Sequence, residues 1–178
     1  LFVNTISQFF KNVVRRQREF ESWTPEQLAD GVISGVKEKK DTLVKFLSDN
    51  IYALPPLPNL YFMRDSSIVV GKKVISGSMA NQVRVMEAII SKFIFLYHPD
   101  FKTEGFIIDG TKEGEIGKLT IEGGDLLVLK NNILAIGISE RTTPQGIDLL
   151  CDRIMKEIDD VFYIFAVMLP KERATIHL

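Results

Sequence analysis

The fold of this chain is decided by the stretch Ile121-Glu122-Gly123-Gly124-Asp125, in which two acids enclose a pair of glycines. It lies between two runs predicted to be strands, Lys118 to Ile121 and Leu126 to Leu129. Glycines allow the backbone, or a small ligand, to approach a carboxylate closely. Alone, the pattern is more typical of a hairpin corner or bulge with solvated acids than of a ligand site. The choice therefore depends on the residues placed around Glu122.

Acidic and basic residues recur around Glu122 at matching distances. Asp65 lies 57 positions before Glu122, and His177 lies 55 positions after it. Arg84 follows Asp65 by 19 positions, and Arg141 follows Glu122 by 19. These spacings predict an internal repeat of about 56 residues, somewhat longer than the range of roughly 20 to 50 that marks most repeat proteins.

Each repeat has the same order of predicted elements: strand, tight turn, strand and helix. In the first, the turn is Gly71 to Lys73, and the helix carries apolar residues from Val83 to Phe93. In the second, the turn is Asn131-Asn132, and the helix carries apolar residues from Ile147 to Ile158. The apolar run from Val161 to Met168 is predicted to begin a third unit.

The N-terminal part of the chain has a helical pattern instead. Apolar residues recur at helical spacing from Phe2 to Val14. The tetrapeptide Thr24-Pro25-Glu26-Gln27 is typical of a helix start closed by a capping box, and Gly31 or Gly35 is predicted to end that helix. Another helix is predicted over Asp41 to Leu47.

Prolines mark the boundary between these two parts. The segment Leu54-Pro55-Pro56-Leu57-Pro58 can join neither a helix nor a central strand. We therefore predict a helical domain at residues 1–54 and the repeats at residues 55–178.

Composition disfavours several classes of function. A net charge of −1 argues against a role with nucleic acid or acidic membranes. A single cysteine, Cys151, rules out an internal disulfide and indicates a reducing compartment such as the cytoplasm. The longest apolar run is about half the roughly 20 residues that a membrane span needs, and no signal peptide is visible. Because the chain opens in a helical pattern and closes in a strand pattern, we expect it to be a piece of a longer protein.

The polar residues of the repeats suit one kind of ligand. If equivalent positions converge, the acids, arginines and histidine face one cavity. Carboxylates bind a planar cation, arginines bind a carboxylate, and histidine with glutamate can transfer protons near neutral pH. An amino acid with a cationic side chain would fit such a cavity. The candidate site residues are Asn59, Asp65, Arg84, Glu122, Arg141 and His177.

Each of these residues also has an ordinary structural interpretation. Arg84 could be a surface charge, Asp65 a turn cap or a partner of Arg64, and His177 a core histidine. Two other reactive residues are assigned to structure: His98 is predicted to end a helix, and Cys151 to pack on an apolar helix face. No His-x-x-x-His spacing or cysteine cluster indicates a metal site.

Four segments carry a family resemblance: Pro58 to Asp65, Glu122 to Asp125, Gly137 to Thr142 and Arg173 to Leu178. In order and spacing they resemble the motifs of the arginine deiminase family. This resemblance implies an α+β chain that is part of a pentein fold, a fivefold pseudosymmetric propeller of ββαβ units. The N-terminal helices resemble the helical insertion of that family.

The resemblance also implies a reaction, the hydrolysis of L-arginine to L-citrulline and ammonia through a cysteine thiolate, without a cofactor. The implied roles are guanidinium binding by Asp65, orientation and proton transfer by Glu122 and His177, and α-carboxylate binding by Asn59, Arg84 and Arg141.

Two parts of the family pattern are missing. A second guanidinium-binding aspartate would follow directly after Leu178, and the nucleophilic cysteine belongs to a last repeat that the chain does not contain. Cys151 does not match the motif of that cysteine, and Met63 stands where the family usually has threonine. We therefore expect the chain alone to be inactive.

Two alternatives stay open. Agmatine deiminases, dimethylarginine hydrolases and amidinotransferases share the acid-Gly-Gly motif, but agmatine has no α-carboxylate, so the pair Arg84 and Arg141 favours arginine. The second alternative is a non-catalytic module for arginine binding or assembly. The expected partner is a small molecule, L-arginine, and neither nucleic acid nor a membrane is expected as a partner. A homo-oligomer is also among the expectations, because open repeats leave strand edges unpaired.

Overall fold

The computed structural model describes residues 1–112, 119–158 and 163–178. The chain divides into two compact units, Leu1–Leu60 and Tyr61–Leu178. The assignment of residues 1–54 to a helical insertion and of 55–178 to repeats stays a prediction.

The first unit, all of which is described, contains helices and one small sheet. The sheet pairs two short antiparallel strands, β1 (Val36–Lys37) and β2 (Tyr52–Leu54), which the helical pattern did not predict. The helices are α1 (Phe2–Phe9), α2 (Lys11–Arg15), α3 (Gln17–Glu21), α4 (Pro25–Ser34) and α5 (Leu43–Leu47).

Helix α4 begins and ends as the sequence predicts. Thr24 Oγ1 accepts a hydrogen bond from the backbone nitrogen of Gln27, whose side chain accepts one from the nitrogen of Thr24. Of the two glycines considered for its end, Gly35 follows the helix with a φ of 78°, where glycine is favoured. Helix α5 starts two residues later than expected, because Thr42 caps it.

The second unit begins with a ββαβ arrangement. After the single turn α6 (Met63–Ser66), strand β3 (Ser67–Val70) pairs antiparallel with β4 (Lys73–Ser76). Helix α7 (Val85–Tyr97) ends at His98, as predicted, and leads to β5 (Phe106–Asp109), which pairs parallel with β4. The sequence analysis had not identified β5.

The same arrangement follows a second time. Strand β6 (Leu126–Lys130) pairs antiparallel with β7 (Ile133–Ile138), and helix α8 (Pro144–Glu157) leads to β8 (Tyr163–Met168). Val161, where this strand was expected to start, lies outside the described residues, as does Lys118. The expected α+β class and the repeat are confirmed.

The position of β8 corrects the predicted order of the repeats. We expected the run ending at Met168 to begin a third unit. Strand β8 instead pairs parallel with β7 from Ile133↔Tyr163 to Ile138↔Met168. It therefore closes the second ββαβ unit, as β5 closes the first.

One apolar core joins the two repeats. Helix α8 contributes Ile147, Leu150 and Ile154 to it, at the spacing of one helix face. Cys151 packs against this core, and burial raises the pKa of its thiol, as expected for a structural cysteine. The other buried members are Val70, Ile75, Ile107, Ile108, Ile121, Leu126, Leu134 and Ile136.

Candidate functional site

Two hydrogen-bonded links bring the acids of the two repeats together. Ser78 and Ile121 form an isolated antiparallel bridge through backbone bonds of 3.0 and 3.1 Å. Arg64 donates from Nη2 to the backbone oxygen of Leu126 at 2.6 Å, so it does not pair with Asp65 as one interpretation had it. These links place the start of β3 beside the turn before β6.

Asp65 and Glu122 occupy corresponding places in the two repeats. Asp65 lies in α6, directly before β3, and Glu122 precedes the 3-10 turn Gly123–Asp125 that leads into β6. Both therefore lie before the first strand of their unit. Both side chains are buried.

His177 lies among three carboxylates. Its Nε2 is 3.4 Å from Asp65 Oδ1 and 3.8 Å from Glu122 Oε2, while its Nδ1 is 3.5 Å from Asp125 Oδ1. The structure thus brings together three of the predicted site residues, separated by more than 50 positions in sequence. Their roles in a reaction stay predictions.

Gly124 makes this cluster possible. A Cβ at this position would lie 2.6 Å from Asp65 Oδ1 and 2.7 Å from both Cγ and Nδ1 of His177. Any side chain there would push Asp65 and His177 away. The glycine pair is therefore required by close packing at the cluster.

The Glu122 carboxylate is held at one oxygen only. The backbone nitrogen of Ala80 donates to Oε1 at 2.9 Å. Oε2 is buried and has no hydrogen-bond partner among the described residues. Burial raises the pKa of Glu122, although the Ala80 hydrogen bond and the positive charges of Arg141 and Arg84 act in the opposite direction. Glu122 thus offers a buried acceptor toward His177.

Asp125 was not among the predicted site residues, yet its Oδ1 lies 3.5 Å from Nδ1 of His177, although neither atom has a hydrogen-bond partner among the described residues. Ser139 Oγ donates to Asp125 Oδ2 at 2.6 Å and accepts from the backbone nitrogens of Arg141 and Thr142. Burial would raise the pKa of Asp125, but interactions with His177, Ser139 and Thr142 outweigh it and lower that pKa. The second acid of the Gly-Gly motif is therefore an anion that faces Nδ1.

The carboxylates favour the protonated form of His177. The pKa of His177 is raised chiefly by Asp125, against the effect of burial, with further contributions from the charges of Asp65 and Glu122. The imidazole can therefore hold a proton near neutral pH.

We expect the substitution Asp125→Asn to lower the pKa of His177, because it removes the largest cause of the shift. Because the pKa of His177 in the folded state lies above its unfolded-state value of about 6.5, protonated His177 stabilises the fold below pH 6.5. This contribution is lost as the pH rises through the folded-state pKa. NMR titration of the imidazole protons measures the change. Since the chain has two histidines, the variant His98→Ala assigns the signals. An unchanged His177 titration in Asp125→Asn would contradict this geometry.

Arg84 is engaged by carboxylates of the protein itself. Its Nη1 donates to Asp65 Oδ2 at 2.6 Å, and its Nε and Nη2 bind the buried carboxylate of Glu87. Burial opposes the charge of Arg84, but hydrogen bonds to Glu87 and Asp65 outweigh it and raise its pKa. The sequence analysis did not identify Glu87. The available signal was its position three residues after Arg84, a spacing that brings two side chains together on a helix.

Two further predicted site residues are Arg141 and Asn59. Arg141 is half-buried, and its charge is close enough to affect the pKa of Glu122. Asn59 is exposed and belongs to the first unit. Their assignment to an α-carboxylate stays a prediction.

Three carboxylates from two ββαβ units therefore surround one imidazole. The chain belongs to the arginine deiminase family, whose model, described as "Arginine deiminase", matches residues 14–178.

A search of the described residues for a helix with the length and apolar character of a membrane span found none.

Curated relatives agree with this family. The arginine deiminase of Staphylococcus epidermidis is 31% identical over an alignment that covers 98% of this chain and 44% of that protein. The arginine deiminase of Staphylococcus aureus (strain JH9) is 34% identical, with coverages of 89% and 40%. The chain thus spans less than half the length of these relatives.

Solved structures give a weaker likeness. One is a dimethylarginine dimethylaminohydrolase adduct with S-methyl-L-thiocitrulline, with a TM-score of 0.48 and 23% identity. The match covers 67% of this chain and 43% of that one. A dimethylarginine dimethylaminohydrolase from Pseudomonas aeruginosa complexed with citrulline has the same TM-score and identity.

Proposed function

We propose that this chain carries the guanidinium-binding part of an arginine deiminase active site. The protein that contains it would hydrolyse L-arginine to L-citrulline and ammonia. The observation that supports this most is the buried cluster in which Asp65 and Glu122 face Nε2 of His177 at 3.4 and 3.8 Å.

The two acids suit a planar cation. Asp65 already accepts a guanidinium N–H, from Arg84 at 2.6 Å. Glu122 Oε2 is a further buried acceptor with no hydrogen-bond partner among the described residues. A substrate guanidinium between them would satisfy that oxygen and balance the buried negative charge. This pairing would fix the cation for attack at its central carbon.

We propose that His177 transfers the proton that the leaving nitrogen needs. In the proposed reaction a cysteine thiolate bonds to the guanidinium carbon, and a C–N bond breaks as ammonia leaves with a proton from His177. Water then adds to the carbon and gives one proton back to the imidazole. The C–S bond breaks to release the thiolate, and citrulline forms as the remaining hydroxyl proton is lost to solvent. We assign the thiolate to the part of the relatives' length that this chain does not span.

The arginines are proposed to bind the substrate's α-carboxylate, with Asn59 as a further donor. Arg84 donates to Asp65, Glu87 and the backbone oxygen of Phe62 in this structure. A substrate carboxylate would therefore have to share or replace one of these acceptors. Arg141 contributes a second positive charge near Glu122.

A binding-only role is the alternative for the chain by itself, since it spans only 44% and 40% of two curated relatives. We propose a cytoplasmic location, because the chain has one cysteine and that residue packs against the core.

Product analysis tests the proposal. The protein that carries this chain together with the nucleophile is incubated with L-arginine and, separately, with agmatine. We expect citrulline from arginine and little carbamoylputrescine from agmatine, because agmatine lacks the carboxylate assigned to Arg84 and Arg141. Faster turnover of agmatine than of arginine would contradict the proposal, and so would a lack of turnover of both compounds.

Self-association is expected for the chain alone. Strand β8 is at the end of its three-stranded sheet, and its side chains at Tyr163, Phe165, Val167 and Met168 are exposed. An unpaired apolar edge favours pairing with another chain. Sedimentation velocity should show species larger than 20.2 kDa that increase with concentration. A single monomeric species at all concentrations would contradict this expectation.

A further inference from the structure

We propose that Asp65, Glu122 and His177 form a binding site for a divalent transition-metal ion such as Zn²⁺. One ligand atom from each residue lies within 4.8 Å of the others. Imidazole and carboxylate are both ordinary zinc ligands. The inference goes beyond the proposed function and does not rest on it.

The distances are close to those that zinc requires. Ligand atoms placed about 2.0 to 2.2 Å from a tetrahedral zinc are roughly 3.3 to 3.6 Å from each other. His177 Nε2 is 3.4 Å from Asp65 Oδ1 and 3.8 Å from Glu122 Oε2. The first distance is already in that range, and a movement of about 0.2 Å would bring the second into it. The third pair, between the carboxylates, lies within 4.8 Å.

The histidine has a carboxylate near its other ring nitrogen, as zinc-binding histidines often do. A carboxylate or carbonyl on the other ring nitrogen commonly fixes the imidazole and increases its basicity. Here Asp125 Oδ1 lies 3.5 Å from Nδ1 of His177, and Ser139 holds Asp125 by a hydrogen bond of 2.6 Å. The contact is not a hydrogen bond in this structure, but it places a carboxylate beside Nδ1 while Nε2 faces Asp65 and Glu122.

An independent observation points to a ligand in this place. Glu122 is 1% exposed, and its Oε2 has no hydrogen-bond partner among the described residues. A buried carboxylate oxygen left without a partner is costly. Because this oxygen faces His177 Nε2, an ion bound between them would satisfy it.

The charge of Arg84 beside the cluster is paired, and a bound zinc would replace the proton that the carboxylates favour on His177. Arg84 binds Oδ2 of Asp65, which leaves Oδ1 for a metal. The buried carboxylate of Glu87 balances the charge of Arg84. The His177 side chain keeps 24% of its surface exposed, so the cluster is reached from solvent. A zinc ion here would occupy the place proposed for the substrate guanidinium and would compete with it.

Sequence motifs could not reveal this site. Zinc-binding residues are usually recognised by short spacings such as His-x-x-x-His. Here the ligands are 57 and 55 positions apart, and the fold alone brings them together.

The experiment measures zinc binding by the 178-residue chain without any substrate. A chromophoric zinc indicator competes with the protein for ZnCl₂. We expect saturable binding of one ion per chain, its loss in His177→Ala, and clear weakening in Glu122→Gln. The variant Asp125→Asn should bind about 10 to 100-fold more weakly, since it removes the group that orients the imidazole. Circular dichroism checks that each variant is folded.

Matched controls separate this site from other zinc ligands of the chain. His98→Ala removes the other histidine and Cys151→Ser the only thiol, and both should bind zinc as the unsubstituted chain does. With Co²⁺ in place of Zn²⁺, the unsubstituted chain should show visible absorption bands of a tetrahedral complex. The proposal is overturned if the unsubstituted chain shows no saturable binding, if folded His177→Ala binds equally well, or if a control abolishes binding. Because no substrate is present, these outcomes are independent of citrulline formation.

Discussion

Replacing Glu122 by glutamine is expected to reduce citrulline formation about 1,000-fold in the protein that carries this chain together with the nucleophile. Glutamine keeps the size of the side chain but removes the negative charge that would orient the guanidinium. The Oε2 that faces His177 at 3.8 Å is buried, so water could not replace the lost charge. The assay is the initial rate of citrulline release from L-arginine.

Glu140→Gln is the matched control, because it makes the same chemical change at an exposed position in the second ββαβ unit. Its rate should equal that of the unsubstituted protein. If Glu122→Gln retained more than about a tenth of the activity, Glu122 would not have the general acid–base or orienting role assigned to it.

Leu150→Ala is expected to lower the free energy of unfolding of the second unit by about 3 kcal/mol. Leu150 is 0% exposed and belongs to the apolar core that joins the two ββαβ units. Truncation removes its transfer free energy and leaves a cavity between packed elements. Urea denaturation followed by circular dichroism measures the change.

Met155→Ala is the control on the same helix, since that side chain is 75% exposed. It should change the free energy of unfolding by less than about 0.5 kcal/mol. Equal effects of the two substitutions would show that α8 does not bury the face seen here.

The sequence predicted what depends on local patterns and on spacing. The two hairpins were visible because each has a turn signal between apolar runs, Gly71 to Lys73 and Asn131-Asn132. The equal spacings of acids and arginines predicted that Asp65, Glu122 and His177 would converge, and the structure places them together.

The sequence could not predict which strands pair in parallel. Strand β5 was not identified, and β8 was assigned to the wrong unit, because parallel pairing across a helix leaves no periodic signal in the strands.

The first unit differs from its prediction in the number of helices. Where one continuous helical pattern was expected, the structure has three short helices, α1 to α3. Val14, predicted on its apolar face, is exposed, while Phe20 is buried.

The supporting residues of the site were missed for a similar reason. Glu87, Asp125 and Ser139 act through contacts with Arg84 and His177 that only the folded chain creates. Considered alone, an acid or a serine at such positions resembles an ordinary surface residue. Their burial and hydrogen bonds distinguish them.

Calorimetric titration of the chain with L-arginine and L-citrulline tests the central claim most directly. The two ligands have nearly the same shape, but only arginine carries the guanidinium charge that Asp65 and Glu122 would bind. We expect arginine to bind at least about tenfold more tightly, which corresponds to about 1.4 kcal/mol, and this preference to disappear in Asp65→Asn. Equal affinity for the two ligands, or an unchanged preference in Asp65→Asn, would show that the cluster around His177 is not a guanidinium site.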